Sequence, residues 1–202
     1  AGRATELLAR ARNADGARAE AIAGLQAAVA AHPNAREESW ELLVTLLDAA
    51  GRSDEARAAR QELAGRFGAR ASGARALAAL GKDPGLTPAQ HLERGKDFFR
   101  SQSHRTALRE LQQAADGFPR ASGPRCEALA LIGRTYEKLK SFDKAWQVYD
   151  RALGCEGQPL AEATFAGGRN RMRAGDDATA LALFAKHVQT FPERSTVDDV
   201  LV

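Results

Sequence analysis

Apolar residues along the chain recur at the three- and four-residue spacing of amphipathic helices. Period-two runs rich in Val, Ile, Thr and Tyr are missing, so the pattern predicts helices throughout and supports no strands. A small residue begins the same helical stripe five times, at Ala21, Ala56, Ala107, Ala145 and Ala180. The positions four and seven residues on are Leu25 and Ala28, Arg60 and Leu63, Leu111 and Ala114, Tyr149 and Ala152, and Phe184 and His187. They fall on one helical face. Each stripe ends twelve residues after its first Ala, at Pro33, Gly68, Pro119, Gly157 or Pro192, which marks five helix ends.

A second helical stretch precedes each of these. Gly95 and Phe98, Gly133 and Tyr136, and Gly168 and Arg171 stand twelve and nine residues before their Ala; Trp40, Leu43 and Leu47 precede Ala56, and Leu8 and Ala9 precede Ala21. A bend at Gly or a polar residue (Gly16, Gly51) separates the two stretches. Helix, tight bend and helix make an antiparallel pair, in which small residues let the backbones approach and bulky ones lock against them. Gly133 is expected to lie close to Ala145 in that pair. The adjacent Gly167 and Gly168 predict that theirs is the least regular helix, since glycine disfavours helix interiors.

This order of Gly, aromatic, Ala, aromatic, Ala and Pro resembles the tetratricopeptide repeat, a helix-turn-helix unit of 34 residues. The segment 126–157, "CEALALIGRTYEKLKSFDKAWQVYDRALGCEG", carries nearly every marker, and five copies span almost the whole chain. The resemblance implies an all-α solenoid, coiled as a right-handed superhelix. Successive marker Ala residues are 35, 51, 38 and 35 apart. The long interval predicts two repeats over 1–68, a connector with a short extra helix over 69–87, and three repeats over 88–192. Residues 193–202 read as the start of a further repeat. Their apolar "VDDVLV" is no polar solenoid cap and suggests a fragment of a longer protein. The Phe-Pro linkers "FPRASGPRCEALALIG" and "FPERSTVDDVLV" are similar in style to bacterial envelope repeat proteins, including the helical superstructure of soluble lytic transglycosylases.

Composition adds little to this. The 202 residues are 44% hydrophobic and 27% charged, with a net charge of +3, too weak a basic excess to argue for nucleic acid. No apolar run reaches the roughly 18 residues of a membrane span. His32, His91, His104 and His187 are unrelated in position and unpaired with Cys or acidic residues at ligand spacing, so they read as structural and no metal or cofactor is implied. No nucleophile elbow, phosphate loop or zinc motif is present. "AGGRNR" at 166–171 lies inside a predicted helix with no strand before it, and the carboxylates of "REESWE" and "DDATA" follow solvated faces. Nothing here points to an enzyme.

Cys126 opens the first helix of a repeat and Cys155 follows the second helix of the same repeat. Antiparallel pairing puts these ends side by side. They form either a disulfide, which requires an oxidising compartment such as the periplasm, or two separate thiols.

In repeats of this family the first helices line a concave surface. The positions one and five residues after each marker Gly are Lys96 and Arg100, Arg134 and Lys138, and Arg169 and Arg173. Residues four apart share a helix face, so the six form a basic ladder, with Phe99 and Phe165 beside it. Alternatively they are solvated surface cations, some paired with Glu137 or Glu162. The ladder predicts a groove for a protein or peptide with an acidic segment, held by Arg forks and Lys point charges. The resemblance therefore implies a non-catalytic interaction or scaffolding module. The rivals are the helical domain of a periplasmic lytic transglycosylase and a regulatory segment of a cytoplasmic signalling protein.

Overall fold

The computed structural model describes residues 2–32, 35–120 and 122–193. The chain divides into two compact units, Ala1–Leu86 and Thr87–Val202. The first holds α1 (Gly2–Ala14), α2 (Arg18–Ala31), α3 (Glu37–Ala49), α4 (Ser53–Arg66) and α5 (Ala71–Leu80). The second holds α6 (Pro88–Arg100), α7 (His104–Gly117), α8 (Gly123–Lys138), α9 (Phe142–Ala152), α10 (Gly157–Arg173) and α11 (Asp177–Thr190). No strand occurs among the described residues. The marker Pro33 and residues 194–202, within which the further repeat was expected to start, lie outside the described residues.

Within each unit every helix packs on its neighbours in the chain, and first helices of successive repeats also touch: α1 with α3, α6 with α8, and α8 with α10. The five marker alanines are buried in their helix pairs. Ala21, Ala56, Ala107 and Ala145 have no exposed surface and Ala180 is 1% exposed. Each unit has its own core. In the first, Leu42, Leu43, Leu46, Leu47 and Trp40 of α3 meet Ile22, Leu25 and Leu63; in the second, Leu111, Leu129, Ile132 and Tyr149 lie among small residues.

One bend geometry recurs five times. Gly16, Gly51, Gln102, Lys140 and Gly175 all have positive φ, between 56° and 85°. Each amide donates three residues back and the next amide five residues back, as in Lys140 to Glu137 and Ser141 to Tyr136. These bonds satisfy carbonyls at the end of the first helix and reverse the chain in few residues.

Antiparallel pairing brings together positions equidistant from the bend. Gly133 and Tyr149 lie symmetrically about Ser141, and the nearest atoms over Gly133 belong to Tyr149 rather than Ala145. A Cβ at Gly133 would stand 2.4 Å from the Tyr149 ring. In the same register a Cβ at Gly95 would stand 2.6 Å from Leu111 and one at Gly168 would stand 2.6 Å from Phe184. This also corrects the expectation for α10. With 17 residues it is the longest described helix, and it is continuous. A Cβ at Gly167 would stand 3.3 Å from that of Tyr149, so the propensity loss at the two glycines is offset by close packing on both sides.

The connector is a structured part of the first unit. α5 packs on α4, and residues beyond it are tied to α4: Arg57 donates to the Asp83 carbonyl at 3.0 Å and Gln61 to that of Pro84 at 2.9 Å.

Candidate binding face on the first helices of the second unit

α6, α8 and α10 adjoin, and their facing side chains are joined across the helices. Lys96 bridges Glu93 at 2.9 Å and Glu127 of α8 at 2.7 Å. Burial works against its charge, but hydrogen bonds to Glu127 and Glu93 outweigh this and hold the ammonium above the usual lysine value. Arg134 lies over the Phe99 ring, 5.1 Å from its centre, and 3.8 Å from Glu162 of α10. Arg169 lies over Phe165 at 5.1 Å and reaches Glu137 of α8 at 3.7 Å. Arg100 is exposed and 3.6 Å from Asp97. Lys138 is exposed and forms no ion pair among the described residues. Arg173 turns to the α8–α9 bend, over Phe142 at 4.8 Å.

The residues of the ladder thus do not form a bare row of cations. Four of the six have a carboxylate within 4 Å, and both phenylalanines serve as platforms for arginines. Paired, half-exposed ions of this kind contribute little to stability, but their stacking fixes where each guanidinium lies.

Beneath this face Glu137 organises a polar cluster. It accepts from the Tyr149 hydroxyl at 3.0 Å and from the Asn170 amide at 2.9 Å. Burial, then the charge of Glu137, pushes the Tyr149 phenol far above its ordinary value. Tyr149 therefore remains a neutral donor.

Between α8 and α10 lies a cavity of about 690 Å³, which sequence reasoning did not foresee. Glu127, Ala130, Leu131 and Arg134 line one side, and Gln158, Pro159 and Glu162 the other. Cys126 and Cys155 close one end as a disulfide, with Cα atoms 5.8 Å apart. Its volume is that of a small-ligand or peptide-anchor site. The signal was present only as the four-residue loop between α9 and α10, because the lining comes from two successive repeats.

Two buried carboxylates were also missed, and they correct the expectation that the acidic residues follow solvated faces. Glu110 of α7 is 6% exposed, with Arg94 Nε at 3.2 Å and His91 Nδ1 at 2.9 Å. Burial raises its pKa, yet the hydrogen bond from His91 and the charge of Arg94 prevail and hold it below the ordinary carboxylate value. Glu6 accepts from the Ser39 hydroxyl at 2.7 Å, joining α1 to α3. His187 is buried beside Thr164, Phe165 and Phe191, which suits the structural role expected of it.

No family model matches the sequence, and no curated protein matches it significantly. Solved structures do. YrrB, described as a TPR protein with an unusual peptide-binding site, superposes with a TM-score of 0.53 at 15% identity, covering 100% of this chain and 92% of its own. PilW, described as a widely conserved type IV pilus biogenesis factor, gives 0.51 at 16% identity over 100% and 98%. MamA from Desulfovibrio magneticus RS-1 gives 0.50 at 15% identity over 96% and 97%. At such identities the likeness is one of fold.

Proposed function

We propose that this chain, whose fold is that of the tetratricopeptide-repeat proteins, is a non-catalytic interaction module that holds a partner protein segment on α6, α8 and α10. The observation that carries the reading is a pair of stacks, Phe99 of α6 with Arg134 of α8 and Phe165 with Arg169 within α10, which present fixed planar cations on two adjoining helices. Lys96, Phe99, Arg100, Arg134, Lys138, Phe165, Arg169 and Arg173 are the contact residues of this proposal. The exposed Arg100 and Lys138 meet acidic residues of the partner, and the stacked arginines offer bidentate donors to its carboxylates and carbonyls. A few of these anchors supply most of the affinity.

The Cys126–Cys155 disulfide supports an oxidising compartment, and we place the protein in the periplasm or cell envelope on that ground. Among the described residues no helix is long and apolar enough to cross a membrane. Mass spectrometry of protein recovered from its own cells tests the placement, and free thiols at both positions remove its support.

Site-specific photocrosslinking in cell extract tests the binding face. A photoreactive residue at Phe99 or at Lys138 is expected to capture the same partner, and one at Arg109 or Lys144, on the second helices, is not. Capture from the second helices alone overturns the assignment of the face. Replacing both Arg134 and Lys138 by Glu is expected to abolish capture and leave the helical spectrum unchanged.

A further inference from the structure

The α8–α10 cavity differs in charge from the face around it. Its lining includes Glu127, Glu156 and Glu162 against one cation, Arg134, in a chain of net charge +3. Lys96 already neutralises Glu127 from outside the lining. Arg134 is drawn away over Phe99 and stands 3.8 Å from Glu162 Oε1. Two carboxylates are left without full partners. Glu156 is exposed just before α10. Glu162 Oε1 accepts from Gln158 at 2.9 Å, but its Oε2 is buried with no donor. Glu162 therefore keeps an acceptor that no donor of the described residues satisfies, and the lining keeps an excess of negative charge. Ala130, Leu131 and Pro159 give the same cavity an apolar flank.

We propose that this cavity takes the side chain of a lysine or arginine carried by an extended partner segment, with the aliphatic stem against Ala130, Leu131 and Pro159 and the charged head donating to Glu162 and Glu156. The proposal rests on the reading of α6, α8 and α10 as a partner-binding face and specifies one anchor of that partner: a basic residue flanked by the acidic residues that meet Arg100 and Lys138. The volume of about 690 Å³ exceeds one side chain, so the backbone on either side of the basic residue also enters. The disulfide joins Cys126 of α8 to Cys155 at the start of the opposite wall, so the walls are fixed before the segment arrives. Such pre-organisation lowers the entropic cost of binding.

The test uses the full chain and four synthetic blocked heptapeptides, identical except for Lys, Arg, Leu or Glu at the central position, followed by ¹H–¹⁵N correlation spectra. The Lys and Arg peptides are expected to shift amides of residues 127–134 and 154–162 and to bind at least tenfold more tightly than the Leu and Glu peptides. Glu162→Gln is expected to remove most of that preference. Glu156→Gln, a change on an exposed residue whose side chain caps nothing, is expected to weaken Lys binding severalfold without touching the core, so the test survives if Glu162→Gln folds poorly. Equal or tighter binding of the Glu or Leu peptide at these amides overturns the proposal, as does the absence of shifts there with every peptide. Tight binding of free n-butylamine equal to that of the Lys peptide also overturns it, because the cavity would then be a small-amine site. Crosslinks from Phe99 and Lys138 together with no Lys preference would leave the binding face standing and remove the basic anchor alone.

Discussion

The two units use the same repeat but hold it together by different means. In the second unit all three helix pairs close with glycine against a bulky side chain: Gly95 on Leu111, Gly133 on Tyr149, Gly168 on Phe184. In the first unit the equivalent positions are Ala9 with Leu25 and Val44 with Arg60. Arg60 is partly buried there and pairs with Asp48, and Val44 and Arg60 border a cavity of about 210 Å³. Helix starts differ in the same direction. Thr87, Ser122 and Asp176 cap α6, α8 and α11 with side-chain oxygens, Thr87 as part of a capping box. Ala17, Arg36, Arg52 and Arg70 precede α2 to α5 without any side-chain cap. The first unit relies on the leucines of α3 and on ion pairs back to α3 from Arg70, just before α5, to Glu37 and from Arg75 of α5 to Glu41. Close backbone approach, caps and a disulfide make the second unit the better platform for a site that must keep its shape.

The largest effect should come from the disulfide. Replacing Cys126 and Cys155 by Ala opens a loop with a sequence separation of 29, and the chain-entropy relation gives a loss of about 3.6 kcal/mol. Denaturant unfolding monitored through the amides of α6–α11 measures it. A loss below about 1 kcal/mol would mean that the packing of α8 and α10 holds the cavity walls without the bridge.

Next comes the buried ion pair beneath α6 and α7. Glu110→Gln removes the carboxylate charge beside Arg94, which is 5% exposed, at a cost of about 3 kcal/mol. The folded pKa of Glu110 lies below its ordinary 4.5. Its contribution is therefore present at neutral pH and is lost as pH falls below that value through the folded pKa. Wild-type stability should fall over this acid range more steeply than that of Glu110→Gln, whose pH profile lacks this contribution. Parallel profiles would mean that Glu110 is no better stabilised as an anion in the folded chain than in the unfolded one.

Gly133→Ala sharpens the comparison itself. The new methyl would overlap the Tyr149 ring, and Tyr149 cannot withdraw without losing its bond to Glu137. A destabilisation of about 2 kcal/mol is expected. Val44→Ala, at the matching position of the first unit, should cost less than about 1.5 kcal/mol, since it borders a cavity already present. Thermal unfolding of both variants compares them. Equal losses would erase the difference in packing between the units.

Much of the fold was legible because its signals are local. Small residues at a fixed interval, a Gly or polar bend and a terminal Pro or Gly all follow from packing within one helix pair, and such packing leaves a mark at short sequence range. The register within the pair was less legible: the sequence singles out the marker Ala145 opposite Gly133, whereas the atoms nearest Gly133 belong to Tyr149, one turn further on, because antiparallel helices pair positions by distance from the bend. The candidate site was less legible because it is built between repeats. Lys96 with Glu127, Arg134 with Glu162 and Arg169 with Glu137 each join residues from different first helices, and no periodicity in a single helix shows which cation meets which carboxylate. His91 and Glu110 illustrate the same limit. Glu110 follows the marker Ala107 at a position that reads as the edge of the stripe, and only the pairing of α6 with α7 encloses it.

The smallest effect should be a gain, and it concerns the five bends. All five need a residue with positive φ, and Gly16, Gly51 and Gly175 meet that need without a Cβ, but Gln102 and Lys140 do not. An L-residue with a side chain is less stable in this region by about 1–2 kcal/mol. Glycine relieves that strain at helix C-termini, although it also loses more backbone freedom on folding. The net expectation for Lys140→Gly is a stabilisation of about 0.5–1 kcal/mol, and the same for Gln102→Gly. The two bends are distant in sequence and share no hydrogen bond, so their effects should add in the double variant. Chemical denaturation of the two single variants and the double variant measures this. A loss of stability in either would mean that the side chain at that bend contributes more than its backbone strain costs. The second unit would then depend on its bends as well as on its glycine contacts.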